Sequence, residues 1–103
     1  MTLPELTDEQ RRDALAKAAE ARRSRAEMKE LLRTGSLTLV EVLDRADEDE
    51  ILAGTKVLPV LEALPGVGKV KARRTMEEIG IAENRKIRGL GSRQRERLVE
   101  YFS

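Results

Sequence analysis

Large apolar residues are scarce in the first quarter of this chain and recur at helical spacing after it. From Asp13 to Arg25 the apolar positions are Ala14, Ala16, Ala18, Ala19 and Ala21, with Leu15 the single larger side chain. No glycine or proline occurs between Asp8 and Arg33, and alanine, leucine, glutamate, lysine and arginine dominate, all strong helix formers. Thr7-Asp8-Glu9-Gln10 reads as a capping box that opens this helix, Leu3-Pro4 ahead of it reads as extended, and Thr34-Gly35 stops it. An alanine face removes little apolar area from water, at roughly 25 cal/mol per Å². The first half of the helix is therefore expected to project from the body or to order on a partner, with Met28, Leu31 and Leu32 marking where it docks.

Past Gly35 the apolar spacing predicts short helices. Thr38-Leu39-Val40-Glu41 is a second capping box, opening a helix whose Leu39, Val42 and Leu43 face inward and which ends near Ala46. Asp47 to Glu50 read as a solvated turn, with Ile51, Leu52 and Val57 as anchors on either side of Gly54. Pro59 suits the first position of a further helix carrying Val60, Leu61 and Leu64, closed by Pro65 and Gly66. Lys69 to Ile79 form the next, with Val70, Met76 and Ile79 on its apolar stripe and Gly80 as its stop. Glu83 to Lys86 give about one turn, Ile87 and Leu90 bury, and Ser92 caps a last helix from which Leu98, Val99, Tyr101 and Phe102 pack back. No segment alternates with a strand period. The fold class is all-α: a long N-terminal helix in residues 1–35, then a compact domain of short helices in residues 36–103.

Composition narrows the chemistry. The chain of 103 residues contains no histidine and no cysteine. That removes the usual neutral-pH general base, the thiol nucleophile, disulfides and nearly every zinc or iron site. No glycine-rich Walker loop or acidic metal motif replaces them, so catalysis is not expected and no cofactor or metal is called for. No run of about 18 apolar residues is present and the N-terminus lacks the apolar core of a secretion signal, which together point to the cytoplasm. The net charge of +1 hides a segregation. Glu41 to Glu62 hold seven acidic against two basic residues, while Gly66 to Arg97 hold ten basic against four acidic. A polyanion would dock on the C-terminal third and avoid the acidic middle.

The candidate binding chemistry lies in two turns: Leu64-Pro65-Gly66-Val67-Gly68-Lys69 and Arg88-Gly89-Leu90-Gly91-Ser92. Gly-x-Gly lets the backbone turn so that amides at the start of the next helix face outward, where the helix dipole favours an anion. Lys69, Lys71, Arg73 and Arg74 follow the first turn, and Arg93, Arg95 and Arg97 follow the second. The bland alternative is that these glycines only stop one helix and start another. Arg22, Arg25, Lys29 and Arg33 are spaced three, four and four apart, along one face of the long helix. They read as a second grip on phosphates or, with Glu27 and Glu30 between them, as a solvated face. The two aromatic residues, Tyr101 and Phe102, look like core, so no platform for stacking single-stranded bases is evident.

LPGVGKVKA at Leu64 to Ala72 resembles the hairpin of helix-hairpin-helix and helix-two-turn-helix proteins. Together with LPELTDEQRRDALAKAAEARRSRAEMK near the N-terminus and NRKIRGLGSRQRERL near the C-terminus, it resembles the actinobacterial integration host factor family across nearly the whole chain. The resemblance implies a helix-two-turn-helix, nucleoid-associated protein that binds double-stranded DNA with little sequence preference, bends or compacts it, assists phage integrase on DNA, and acts as a monomer. It places Pro65, Gly66, Val67, Gly68 and Lys69, and Arg85, Lys86 and Arg88, on DNA phosphates. Many relatives have arginine at Lys86; lysine keeps the charge but not the planar fork. Leu58 and Ala82 stand where relatives tend to have serine, implying two lost helix caps worth about 1 kcal/mol each.

The residues expected to hold duplex DNA are therefore Pro65, Gly66, Val67, Gly68, Lys69, Lys71, Arg73, Arg85, Lys86, Arg88, Gly89, Gly91, Ser92 and Arg93. Rival readings from the same sequence are a ribosomal-type RNA binder using the same turns, a protein-interaction module using the alanine-rich helix and Asp47 to Glu50, and an accessory module of a DNA-repair complex.

Overall fold

A 27-residue helix, α1 (Asp8–Thr34), leads into a cluster of short ones: α2 (Leu39–Ala46), α3 (Glu50–Ala53), α4 (Val57–Ala63), α5 (Gly68–Ile79) and α6 (Ser92–Tyr101), with a single 3₁₀ turn at Ile87–Gly89 before α6. The computed structural model describes residues 7–102, so the expected extension at Leu3-Pro4 lies outside the described residues. The described chain is all-helical apart from one isolated antiparallel bridge between Lys56 and Lys86.

Both capping boxes form. Thr7 Oγ1 accepts from the Gln10 amide at 3.1 Å while Gln10 Oε1 accepts from the Thr7 amide at 3.0 Å. Thr38 and Glu41 do the same at the start of α2. α1 ends at Gly35, whose φ of 80° is left-handed and whose amide donates to the Leu32 carbonyl. The Leu37 amide then reaches back to the Leu31 carbonyl, which turns the chain and drops Leu37 into the core.

Met28 and Leu32 of α1, Val42 and Leu43 of α2, Val60 and Leu61 of α4, Ala72 and Met76 of α5, and Leu98 of α6 make one buried cluster. Every side chain from 7 to 18 is exposed, as the alanine-rich composition predicts. The Cα radius of gyration is 15.9 Å, against about 13 Å for a compact chain of about 100 residues. The outer turns of α1 account for that excess, since a helix of this length runs about 40 Å.

Several local expectations are corrected. Leu31 is 42 % exposed, because Met28 and Leu32 alone, one turn apart, define the docked stripe. Val70 is 72 % exposed: the inward stripe of α5 runs through Ala72, Thr75 and Met76, and Val70, two residues before Ala72, falls on the far side. Thr75 is buried without penalty because its hydroxyl donates to the Lys71 carbonyl at 2.8 Å. Tyr101 is 47 % exposed, its ring tilted against Phe102, and it is Phe102 with Val99 that packs on the core.

Helix boundaries also shift. Asp47 to Glu50 are not one solvated turn: Asp49 caps α3 by accepting from the amides of Ile51 and Leu52, and Glu50 is the first residue of that helix. α4 begins at Val57, so Pro59 is its third residue, still within the first turn where a missing N–H costs nothing. Leu58 is thus inside α4, whose cap position is Lys56, and no cap is lost there. Ala82 caps no helix either; its carbonyl accepts the Arg85 amide in a turn, and the helical turn expected over Glu83 to Lys86 falls instead at Ile87–Gly89. Gly91, not Ser92, is the cap residue of α6, with Gln94 Oε1 accepting from the Gly91 amide at 3.0 Å.

Candidate nucleic-acid interface

The hairpin between α4 and α5 is built from two left-handed glycines. Gly66 has φ 75° and Gly68 φ 69°, conformations that L side chains rarely adopt, and no atom lies within 4 Å of where a Cβ would stand on either. Glycine is needed here for backbone shape and not for room. Val67 between them is half-buried and packs on the core, which fixes the loop to the body. Gly68, Lys69 and Val70 are the first three residues of α5, so their amides have no acceptor inside the helix, and no side chain caps them. Pro65, Gly66, Gly68 and Lys69 are exposed around these donors. The result is a helix start with exposed, uncapped donors, the geometry that favours an anion.

The second turn shares the sequence pattern but works differently. The Gly89 amide donates to the Lys86 carbonyl at 2.9 Å and the Leu90 amide to the Ile87 carbonyl at 3.1 Å. With Gly91 bonded to Gln94, the amides of all three turn residues are used internally. The open donors are those of Ser92 and Arg93 in the first turn of α6. Neither glycine is left-handed. Gly89 leaves room for Arg85: a Cβ there would lie 3.0 Å from Arg85 Cδ, so the arginine side chain would have to give by a few tenths of an ångström, and Arg85 Nη1 donates to the Gly89 carbonyl at 2.8 Å. Arg85 thus braces the turn with one edge of its guanidinium, leaving its other donors for a ligand.

Among the side chains, Lys69, Lys71, Arg73, Lys86, Arg88 and Arg93 are exposed and Arg85 is half-buried. Arg73 Nε lies 3.6 Å from Glu83 Oε1, a loose surface pair. The ladder on α1 is divided. Arg33 pairs with Glu30 at 3.3 Å and Arg22 is exposed. Arg25 and Lys29, both half-buried, turn toward the body and line a cleft with Lys56 and Lys86. α4 joins the two regions, with the cleft at its Lys56 end and the hairpin at its Leu64 end, roughly 10 Å apart along the helix. Sequence spacing missed Lys56, which sits in the acidic segment; the signal that finds it is its backbone pairing with Lys86.

Arg95 is committed to structure. Its Nη2 donates to Asp44 Oδ1 at 2.8 Å and its Nη1 to Asp47 Oδ1 at 3.1 Å, tying α6 to α2. Hydrogen bonding to Asp47, with the charges of both aspartates, holds its pKa above the ordinary value against partial burial. Arg95→Ala should lower stability by about 1 kcal/mol, the upper end for solvent-accessible pairs. It should leave the salt dependence of binding to a polyanion unchanged, since both guanidinium edges are already engaged, which thermal unfolding beside a salt-dependent titration will check. Among the described residues no group of three or more His, Cys, Asp or Glu could hold a metal ion, and no helix is long and apolar enough to cross a membrane.

This helical body, opened by a two-glycine hairpin, matches the S13-like H2TH domain over residues 32–102. Beyond that domain, the chain is 57 % identical to the Mycobacterium tuberculosis protein named Integration host factor, over 99 % of this chain and 97 % of that one. It is 52 % identical to the Streptomyces coelicolor protein of the same name, over 91 % and 88 %. A solved structure described as sIHF bound to an 8bp palindromic DNA superposes with a TM-score of 0.83 at 46 % identity, covering 85 % of this chain and 99 % of that one. The chain belongs to the integration host factor family represented in mycobacteria and Streptomyces.

Proposed function

We propose that this protein binds double-stranded DNA through its phosphate backbone with little sequence preference, bending or compacting it as a nucleoid-associated protein, as a monomer, and assisting phage site-specific integration. The observation that carries the reading is the pair of helix starts, α5 and α6, whose uncapped amides are each accompanied by exposed cations. Amides and point charges recognise phosphate whatever the base. The DNA-bound solved relative supports duplex DNA as the partner. Pro65, Gly66, Val67, Gly68 and Lys69 form one contact, Ser92 and Arg93 the other, with Gly91 as the cap residue that leads into them. Lys71, Arg73, Arg85, Lys86 and Arg88 neutralise neighbouring phosphates, and Gly89 keeps Arg85 in place.

The test is a titration of unrelated duplexes of equal length at several salt concentrations. With about seven phosphates neutralised, by Lys69, Lys71, Arg73, Arg85, Lys86, Arg88 and Arg93, log affinity should fall against log salt with a slope near −6, nearly the same for each sequence. A flat salt response, or preference for structured RNA in competition, contradicts the reading. Whether the DNA bends is read by circularisation of short duplexes in the presence of the protein.

A further inference from the structure

The cleft of about 320 Å³ between α1, the start of α4 and the Lys56–Lys86 bridge concentrates positive charge without any carboxylate in its lining. The Val57 amide donates to the Arg85 carbonyl and the Ile87 amide to the Thr55 carbonyl, both at 2.9 Å. These two bonds flank Lys56 and Lys86, which makes them a directly opposed, non-hydrogen-bonded antiparallel pair. Such pairs stand about 4.5 Å apart at Cα, with side chains close together on one face. Like charges placed there repel and destabilise the fold. Arg25 adds a third cation in a fixed position: its Nε donates to Thr55 Oγ1 at 3.3 Å, that hydroxyl being 3 % exposed as a residue and itself bonded to the Ile51 carbonyl at 2.8 Å. The Arg25 guanidinium also lies against Gly54, 4.0 Å from where a Cβ would stand. Lys29 is the fourth. Among the described residues none of the four takes part in an ion pair.

We infer that Arg25, Lys29, Lys56 and Lys86 form a single phosphate-binding cleft that holds a backbone phosphate of duplex DNA, with Lys56 as a contact residue that lies in the acidic part of the sequence. The inference rests on the duplex-binding reading above and changes its geometry. The root of α1 and the residues before the second turn share one ligand through Lys86, instead of α1 offering a separate strip to another DNA segment. Arg22 and Arg33 take no part in it. A phosphate between the opposed lysines converts their repulsion into attraction for a common anion.

The test compares Lys56→Ala with Arg45→Ala, which removes the same charge from the same acidic segment at an exposed position on α2 outside the cleft. Lys56→Ala should weaken binding to every duplex several-fold at 0.1 M salt and reduce the log–log salt slope by less than one, because three cations still face the same phosphate. Its melting temperature in the absence of DNA should stay level or rise, because a repulsive pair has been relieved. Arg45→Ala should change affinity less than twofold. Lys56→Ala/Lys86→Ala should lose less than the product of the single losses, as two groups on one phosphate do. The inference is overturned if the wild-type chain binds duplex DNA and Lys56→Ala binds equally well. It is overturned too if Arg45→Ala matches Lys56→Ala, or if the loss follows a fall in melting temperature. A wild-type chain that binds no duplex overturns the proposed function, and the cleft's role with it.

Discussion

Replacing Arg85, Lys86 and Arg88 together with alanine is expected to weaken duplex binding about 10²–10³-fold at 0.1 M salt, on every sequence alike. Each phosphate contact contributes about 0.9 to the log–log salt slope, so three lost contacts flatten it by nearly three units. The three residues act differently within that total. Lys86 and Arg88 are exposed and serve as charges. Arg85 also carries the hydrogen bond to the Gly89 carbonyl, so its loss loosens the 3₁₀ turn that leads into α6. That loosening should cost about 1 kcal/mol of stability, small beside the binding loss. Gel-shift titration at several salt concentrations, with circular dichroism on the same samples, measures both. A loss confined to one sequence, or an unchanged slope, would contradict phosphate recognition by this stretch.

The second large effect concerns one backbone angle. Gly68→Val puts a β-branched residue at φ 69°, and since the Cβ meets nothing within 4 Å the penalty is conformational. Left-handed backbone costs an ordinary L residue about 1–2 kcal/mol, and valine more. The melting temperature should therefore fall by roughly 10 °C for a domain of this size. Affinity should fall further than unfolding explains, about 10–100-fold at a temperature where the variant is fully folded. The isopropyl group stands at the mouth of the α5 amides and keeps a phosphate from hydrogen bonds worth about 1.5–3 kcal/mol. Gly68→Ala is the milder companion, with the same angle and less bulk. If binding tracks the folded fraction alone, the hairpin is only a helix punctuation.

What could be read from the sequence was what depends on neighbours along the chain. The two capping boxes, the stop at Gly35, the poor docking of the alanine-rich turns and the hairpin at Gly66 and Gly68 are all set within a few residues. What escaped depends on distant partners. Val70 fits an apolar stripe by type, but which face of α5 turns inward is decided by α4, against which it packs. The Gly89 turn looks like a copy of the Gly66 turn in letters, yet its amides are consumed locally and its glycine makes way for Arg85. Lys56 and Lys86 are thirty residues apart, and one backbone bridge with no strand alternation around it leaves no periodic trace. Arg95 belongs to the basic run by position and to the acidic segment by contact.

The anchoring of α1 by Met28 and Leu32 matters beyond the core. An isolated helix of a dozen residues is marginal in water because its nucleus is costly, whereas each added residue then propagates at little expense. The packed root supplies a permanent nucleus, from which the outer turns, their side chains exposed from residue 7 to residue 18, simply continue. Their order is borrowed from a few apolar side chains near Gly35, so truncating those side chains would cost helix far beyond the residues they touch.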